Sequence, residues 1–259
     1  MASSSPIKVE YRGRLAIITI DNEKKLNALD QSAYYDLAQS LREIATHDEV
    51  YITLIIGKGR YFSARLPHRF WLQSFVAFNL NCTQAFYSHP KILVVGLNGP
   101  VVGLSAALIS LADFIYCVPH TFLLTPFSSL GLVTEGAASR ALVQRLGLAK
   151  ANEALIMSKR ISCEELVATG FVNKCFEECA KGEDEKFRGL VLREIDERLG
   201  EHLNGESLLG IKKLIRRPDL EVMEMQNVKE VFAGLDRFVA GVPQGEFLKV
   251  ATGQKRHKL

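Results

Sequence analysis

The sequence predicts an α/β domain followed by a C-terminal helical extension. Runs of β-branched and apolar residues, such as 15–20 and 51–56, are typical of strands. They alternate with segments whose apolar residues recur at helical spacing, and this alternation indicates an α/β domain. From Gly136 onward the pattern becomes mostly helical. With 259 residues and an apolar fraction of 47%, the chain can bury one substantial core.

The predicted elements follow one another in a regular order. Strands are predicted over residues 8–11, 15–20, 51–56, 92–97, 114–118 and 121–124. Helices are predicted over residues 30–46, 70–87 and 104–112. Asp30 can cap the first of these helices. The charged residues 181–186 indicate a surface junction or a solvated helix start, so we divide the chain into a core, 1–185, and a C-terminal helical region, 186–259.

Composition and charge argue against several classes of function. The net charge is +3 and no basic stripe is interleaved with aromatic residues, so nucleic-acid binding is not expected. Residues 101–118 form the longest apolar stretch, but Asp113 interrupts it, which favours a buried helix over a membrane span. The five cysteines lack zinc-ligand spacing, since Cys175 and Cys179 have no second pair or histidine nearby. We therefore predict reduced thiols in an intracellular protein and no metal site.

Residues 99–107 predict a buried strand that ends in a glycine-bearing turn and leads directly into a helix. The first amides of such a helix have no internal acceptor and lie at the positive end of its dipole. They can hold an anion or a developing oxyanion, and Gly103 permits a ligand to approach the backbone closely. Many strand–turn–helix connections share this pattern without binding anything, so the segment alone does not establish a site.

Glu135 is the one carboxylate in residues 130–138, a stretch of apolar and small residues. If it is partly buried, its pKa is raised and it suits proton transfer near neutral pH. The alternative is a surface glutamate near a helix start, where the helix dipole favours a negative charge.

The last three residues, His257, Lys258 and Leu259, resemble the Ser-Lys-Leu peroxisomal address, with histidine in place of serine. This predicts binding to the peroxisomal import receptor and localisation in the peroxisome. A disordered basic tail is the alternative interpretation.

Seven motifs together resemble those of the enoyl-CoA hydratase/isomerase (crotonase) family. They are residues 25–29 (KLNAL), 59–64 (GRYFSA), 97–105 (LNGPVVGLS), 112–113 (AD), 127–132 (FSSLGL), 157–162 (MSKRIS) and 170–173 (GFVN). The resemblance runs from about Val9 to Leu248, nearly the whole chain. It implies a crotonase (ClpP-like) spiral of ββα turns, with C-terminal helices that pack between the subunits of a homotrimer or hexamer. It also implies an acyl-CoA thioester substrate and no separate cofactor, because coenzyme A is part of the substrate.

The resemblance also implies roles for particular residues. The thioester carbonyl would lie in an oxyanion hole between two backbone amides, one from Leu104 and one from Ala64. Cations in the Lys24–Lys25 loop would approach the CoA phosphates. The residues implied in substrate or CoA binding are Lys24, Lys25, Leu26, Ala28, Ser63, Ala64, Gly103 and Leu104.

The subgroup follows from a comparison at single positions. Hydratases of the family carry two glutamates that activate water, at the positions of Ala107 and Phe127 here, so water addition is not expected. Fungal peroxisomal Δ3-Δ2-enoyl-CoA isomerases carry a glutamate before a glycine, as at Glu135 here. Asn79 matches a segment of the same isomerases and would orient this carboxylate. The implied reaction is a 1,3-proton shift in which Glu135 removes a proton from C2 of a 3-enoyl-CoA and returns it at C4.

One segment departs from the family pattern. After residues 62–64 the family continues Gly-Ala-Asp and a variable loop, whereas here Ala64 is followed directly by Arg65. A shorter loop offers the second amide from Ala64 or Arg65, or one oxyanion donor is lost at a cost of about 100-fold in rate. Three hypotheses follow: an enoyl-CoA isomerase of β-oxidation or of a secondary-metabolite acyl chain; another crotonase-fold enzyme, such as a dienoyl-CoA isomerase or hydratase; and a catalytically impaired member that acts by binding.

Overall fold

The structure, a computed structural model, describes residues 5–59 and 71–256 of the chain. The strands are β1 Ile7–Arg12, β2 Leu15–Ile20, β3 Ile52–Gly57, β4 Ile92–Leu97, β5 Val101–Val102, β6 Phe114–Cys117, β7 Phe122–Leu124, β8 Ile161–Ser162 and β9 Lys174–Cys175. The helices are α1 Gln31–Ala45, α2 Trp71–Tyr87, α3 Leu104–Ile109, α4 Ala138–Leu146, α5 Leu148–Leu155, α6 Cys163–Ala168, α7 Asp184–Leu199, α8 Gly205–Val239 and α9 Val242–Ala251. The predicted succession of strands and helices is therefore confirmed for the elements within these ranges.

The strands form two sheets. The larger has the order β1-β2-β3-β4-β6-β9 and is parallel except for the antiparallel pair β1–β2, while β5, β7 and β8 form the smaller one. Strands β3 and β4 are buried on both faces, which explains why their sequences are continuous apolar runs. Side chains of β2 alternate between the faces, so Ile18 packs in the cluster with Leu41 of α1, whereas Ile17 packs in the cluster with Phe187 of α7.

Helix α1 begins where the sequence predicts. The Asp30 carboxylate accepts a hydrogen bond from the Ala33 amide at 3.0 Å and so satisfies one of the free amides of the first turn. The apolar residues Leu37, Leu41 and Ile44 lie on the buried face, as their helical spacing indicates.

The C-terminal helices do not all belong to one extension. Helix α7 covers a face of the large sheet, and the predicted division after residue 185 falls inside it. The 35-residue helix α8 packs against α2, where Phe75 contacts the ring of Phe238 at a centroid distance of 4.9 Å. Gly234 permits this approach, because a Cβ there would lie 2.8 Å from the Phe75 ring. The division of the chain at 185 remains a prediction about folding units.

Helix α3 is shorter than predicted. It ends at Ile109 rather than Ala112, since the Ser110 hydroxyl donates to the carbonyl of Ala107, and Arg145 donates to the carbonyls of Ser110 and Ala112. The chain then turns into β6. Across residues 5–59 and 71–256, none of the helices combines the length and apolarity that a membrane crossing requires.

Candidate active site

Glu135 lies in the loop that precedes α4 and is only 5% exposed. The side-chain amide of Asn79, from α2, donates to its Oε2 atom at 2.7 Å. Thr83, one helical turn further along α2, donates its hydroxyl hydrogen to Asn79 Oδ1 at 3.3 Å. Because this bond occupies the oxygen of the Asn79 amide, the NH₂ group faces the carboxylate. The structure thus brings together the two predicted residues Asn79 and Glu135.

The buried position changes the acidity of Glu135. Burial raises its pKa from the usual 4.5 to about 8, since a charged carboxylate is poorly solvated there. The hydrogen bond from Asn79 lowers this pKa, and the negative charge of the nearby Glu230 raises it. A carboxyl group that titrates near neutral pH can both take up and return a proton, as general acid–base catalysis requires. The interpretation of Glu135 as a surface residue is therefore wrong.

Gly136 holds Glu135 close to the start of α3. A Cβ at Gly136 would lie 2.8 Å from Ala107 Cβ and 3.0 Å from Leu104 Cδ1, so only glycine permits this packing. The positive φ of +74° at Gly136 also favours glycine. The carboxylate and the first turn of α3 consequently belong to one site.

Gly103 forms the turn before α3. Its φ of +71° lies in the left-handed region, and its amide donates to the carbonyl of Leu124 at 2.8 Å. A Cβ at Gly103 would meet no atom within 4 Å among the described residues, so a ligand can approach the backbone on that side. Leu104 is the first residue of α3, and its amide therefore has no acceptor within the helix. Tyr34 and Ser105 join their hydroxyl groups at 2.8 Å and fix the position of this turn against α1.

Apolar side chains accompany these polar groups. Phe78, Leu104 and Leu132 are partly buried and pack against the main core. They come from α2, from α3 and from the loop before α4, which are the segments that carry Asn79, the glycine turn and Glu135. A site with one titratable carboxyl, a backbone amide and apolar walls suits an apolar chain attached to a polarisable carbonyl.

The comparison with known proteins agrees with this geometry. The sequence profile "Enoyl-CoA hydratase/isomerase" matches residues 10–188. The chain belongs to the enoyl-CoA hydratase/isomerase family. It is 66% identical to a Delta(3,5)-Delta(2,4)-dienoyl-CoA isomerase from Pyricularia oryzae, over 97% of this chain and 98% of the relative. It is 33% identical to a 3,2-trans-enoyl-CoA isomerase from Saccharomyces cerevisiae, over 97% of each chain.

Solved structures confirm the crotonase fold. A crystal structure of an enoyl-CoA hydratase/isomerase from Pseudoalteromonas atlantica superposes with a TM-score of 0.86 at 23% identity, covering 98% of this chain and all of the other. The alignment with the Pyricularia relative spans 274 positions, more than the 259 residues here, so the relative carries residues that this chain lacks.

The predicted CoA-binding residues of this family member do not all lie at one cavity of the structure. Lys24 and Lys25 lie in a short 3-10 turn, Glu23–Lys25, beside Leu26. A cavity of about 270 Å³ adjoins this turn. Glu135 is not among the residues that line it. Its lining residues are Glu23, Leu26, Asn27, Lys58, Gly59, Gly182 and Asp184. Since two carboxylates share this wall with one lysine, the cavity itself is not a strongly cationic phosphate site.

Other predicted residues of the family site are buried or undescribed. Ala28 is buried, and its carbonyl accepts from the Asn22 side chain at 3.4 Å, so its side chain is not available to a ligand. Ser63 and Ala64 lie outside the described residues, as do the targeting residues 257–259. The second oxyanion donor therefore stays a prediction.

The hydratase positions are apolar in this structure. Ala107 faces Gly136 within α3, and Phe127 is 2% exposed, so neither position carries a group that could activate water. Sequence reasoning missed Thr83, Tyr34 and Glu230, which contact or influence the site from α2, α1 and α8. Thr83 could have been found from its position one turn after Asn79. Glu230 could have been found as a charged residue within the run of buried positions of α8.

Replacing Asn79 by leucine, which has a similar shape but no donor, is expected to raise the pKa of Glu135 further. A hydrogen bond to a charged group contributes about 1.5–3 kcal/mol, which corresponds to about one to two pH units. The acid limb of kcat/KM against pH should move upward by this amount, so activity at pH 7 should fall about 10- to 100-fold. The Thr83→Val control loses only the neutral bond to Asn79 and should shift the limb less. If the variant instead has a lower maximum kcat/KM at high pH but an acid limb at the same pH as the natural chain, Asn79 has a purely structural role.

Proposed function

We propose that this chain is an enoyl-CoA isomerase that moves a double bond in an unsaturated acyl-CoA thioester by proton transfer. The observation that carries this proposal is the buried Glu135, whose pKa of about 8 and bond to Asn79 suit a base that also returns its proton. The names of the relatives from Pyricularia and Saccharomyces support double-bond isomerisation rather than hydration.

In the proposed reaction, Glu135 removes a proton from C2 of a 3-enoyl-CoA. The C–H electron pair enters the conjugated system, the double bond moves to C2–C3, and the same carboxyl returns the proton at C4. The intermediate dienolate carries negative charge on the thioester oxygen, where the Leu104 amide at the start of α3 can stabilise it. Each such donor contributes about 3 kcal/mol to lowering the barrier. Because no electrons leave the acyl chain, the reaction needs no redox cofactor, and coenzyme A enters as part of the substrate.

A 3,5-dienoyl-CoA is the second candidate substrate, favoured by the 66% identity to the Pyricularia enzyme. Its conversion to the 2,4-diene removes a proton from C2 but delivers one at C6. C2 and C4 flank a single carbon, so one carboxylate can reach both, whereas C6 lies two carbons further along. The single carboxylate that Asn79 orients therefore fits the 1,3-shift, and the 1,5-shift would require movement of the substrate or a second acid.

A steady-state assay of the purified chain with both substrates tests the proposal. We expect formation of the conjugated 2-enoyl thioester from the 3-enoyl-CoA, with unchanged product mass. A higher kcat/KM with the 3,5-diene would select the second candidate. A product heavier by one water molecule would identify a hydratase. Folded protein that turns over neither substrate would contradict the proposal and support a family member that acts by binding.

A homo-oligomer, trimer or hexamer, is part of the proposal. Helix α8 exposes a row of large apolar side chains at helical spacing, which share one face and would be covered by another subunit. They are Ile211, Leu214, Ile215, Met225, Val228, Phe232 and Val239. Light scattering of the eluted protein should give three or six times the mass of the 28.8 kDa chain, and a monomer would contradict this.

Peroxisomal localisation rests on the last three residues, His257, Lys258 and Leu259. A fluorescent protein that carries this end of the chain should enter peroxisomes through the import receptor, and removal of Leu259 should abolish import. A fusion that stays in the cytosol would contradict the proposal. In the peroxisome the enzyme would act in fatty-acid β-oxidation or on the acyl chain of a secondary metabolite.

A further inference from the structure

Three cysteines that are distant in sequence converge in the fold. Cys117 ends β6 and Cys175 ends β9, and the two are register partners across a parallel strand pair. Cys163, the first residue of α6, lies between them, with its sulfur 3.7 Å from the sulfur of each. All three sulfur atoms lie within 4.8 Å of one another. Linear spacing gives no sign of this cluster, because its members are 46 and 12 residues apart.

The separations suit a metal ion. Two thiolates bound to a tetrahedral zinc ion with Zn–S bonds of about 2.3 Å lie about 3.8 Å apart. The observed separations of 3.7 Å are close to this value, so Cys163 could share an ion with both neighbours with little movement. A disulfide would instead require two sulfurs to close to about 2.05 Å, and it would leave the third thiol unused.

The backbone around the thiols is firmly held. The Phe176 amide donates to the carbonyl of Cys117 at 2.9 Å. Two residues earlier on β6, Ile115 exchanges two hydrogen bonds with Asn173: its carbonyl accepts from the Asn173 amide, and its own amide donates to the Asn173 side chain. A capping box between Ser162 and Glu165 fixes the start of α6, and hence Cys163. The three side chains are therefore positioned by separate elements before any ligand binds, which lowers the entropy cost of binding.

The cluster is open on one side. Cys117 is fully buried, whereas Cys175 is partly exposed and the exposed carboxylate of Glu177 lies within hydrogen-bonding reach of it. Glu177 or a water molecule can thus complete four ligands. Soft thiolate ligands favour zinc over magnesium or calcium.

We propose that Cys117, Cys163 and Cys175 bind one zinc ion, with Glu177 or water as the fourth ligand. The ion would join β6, β9 and α6, which are different elements from those that carry Glu135 and Asn79. Its role is structural, since three thiolates fill most of its coordination sphere. This site is independent of the proposed isomerase activity. It is the opposite of the sequence-based prediction of no metal site, and the titration described next tests both.

Titration of the full-length, zinc-free and reduced chain with cadmium, a spectroscopic probe for zinc, tests this. We expect a thiolate-to-cadmium ultraviolet band that saturates at one ion per chain, and displacement of cadmium by excess zinc. Cys163→Ser should weaken binding by about 100-fold or more, since it removes the central ligand. Cys82→Ser, which changes a buried thiol outside the cluster, is the matched control and should retain the band.

Circular dichroism should verify that each variant is folded. If Cys163→Ser does not fold, Cys175→Ser decides the question, because its side chain is partly exposed and its loss disturbs the core less. Absence of the thiolate band in the natural chain would overturn the proposal, as would equal cadmium affinity in the natural chain and the folded cluster variant. An intact mass two hydrogens lower before reduction, without metal uptake after reduction, would also overturn it and identify a disulfide pair instead.

Discussion

Replacing Glu135 by glutamine is expected to lower kcat for double-bond isomerisation by about 10³-fold, within the usual range for loss of a general base. The amide has the shape of the carboxyl group but cannot accept the C2 proton. Asn79 can still bond to its oxygen, so the site should keep its geometry and KM should change little. Steady-state kinetics, together with loss of C2 proton exchange with solvent deuterium, measure the effect. Unchanged turnover would show that another group is the base.

Glu230→Gln is the matched control, because it makes the same substitution at a nearby buried glutamate. Glu230 Oε1 accepts from the Ser139 amide at 2.8 Å, and the glutamine oxygen can accept the same bond. Removal of its negative charge should lower the pKa of Glu135, since that charge raises it. The acid limb of kcat/KM should then move to lower pH while the plateau is retained.

The pH dependence of the natural chain follows from the same pKa. Only the ionised form of Glu135 can act as base, so kcat/KM should rise with pH through about 8 and level off above it. Stability should change in the opposite sense. Because the folded pKa is raised from 4.5, the native state binds more protons than the unfolded state between these values, and the free energy of unfolding falls as pH rises through this window. In Glu135→Gln the free energy of unfolding should no longer fall with pH through this window. Measuring it by unfolding also verifies that the variant is folded.

Local patterns predicted the elements whose own residues carry the signal, either as a run of β-branched residues or as helical spacing with a cap. The strand over residues 15–20 was predicted at its observed bounds, since its β-branched residues are buried on both sides. Helix α1 was predicted from its cap at Asp30 and its apolar spacing. The end of α3 was predicted wrongly because the stop is specified by Arg145, a residue of α4 that sequence patterns near Ile109 do not reveal. The two-residue strands β8 and β9 were missed for the same reason, since distant partners define them.

The candidate site was predictable where family motifs carry it. Glu135 and Asn79 were placed together by resemblance, and the structure gives the bond between them. The burial that sets the pKa of Glu135 comes from packing among α2, α3 and α8, which no local pattern encodes. The cysteine cluster was invisible for an equally physical reason. Its thiols meet only after β6 and β9 pair in register, so their spacing along the chain carries no signal.

Replacing Asp113 by asparagine is expected to cause the largest loss of stability. Its carboxylate accepts from the Leu93 amide at 2.8 Å, from Lys212 at 2.7 Å and from Arg216 at 2.9 Å, and so joins β4 and β6 to α8. Burial alone would raise the pKa of Asp113, but the charges of Lys212 and Arg216 outweigh it and the pKa is lowered. The substitution leaves Lys212, 9% exposed, without its counter-charge.

Removing one partner of a buried ion pair costs about 3–5 kcal/mol, because the other charge stays buried and unpaired. Lys212 and Arg216 also donate to backbone carbonyls, so we expect a loss near 3 kcal/mol and a lower Tm by about 6–12 °C. Asp219→Asn is the matched control: it makes the same substitution on α8 in the more exposed pair with Arg140, where about 1 kcal/mol or less is expected. Thermal unfolding at one chain concentration separates the two, since assembly also affects Tm. Equal midpoints for both variants would mean that the carbonyl partners, and not Asp113, neutralise the cations of α8, and that the sheet and the helix are joined mainly by apolar packing.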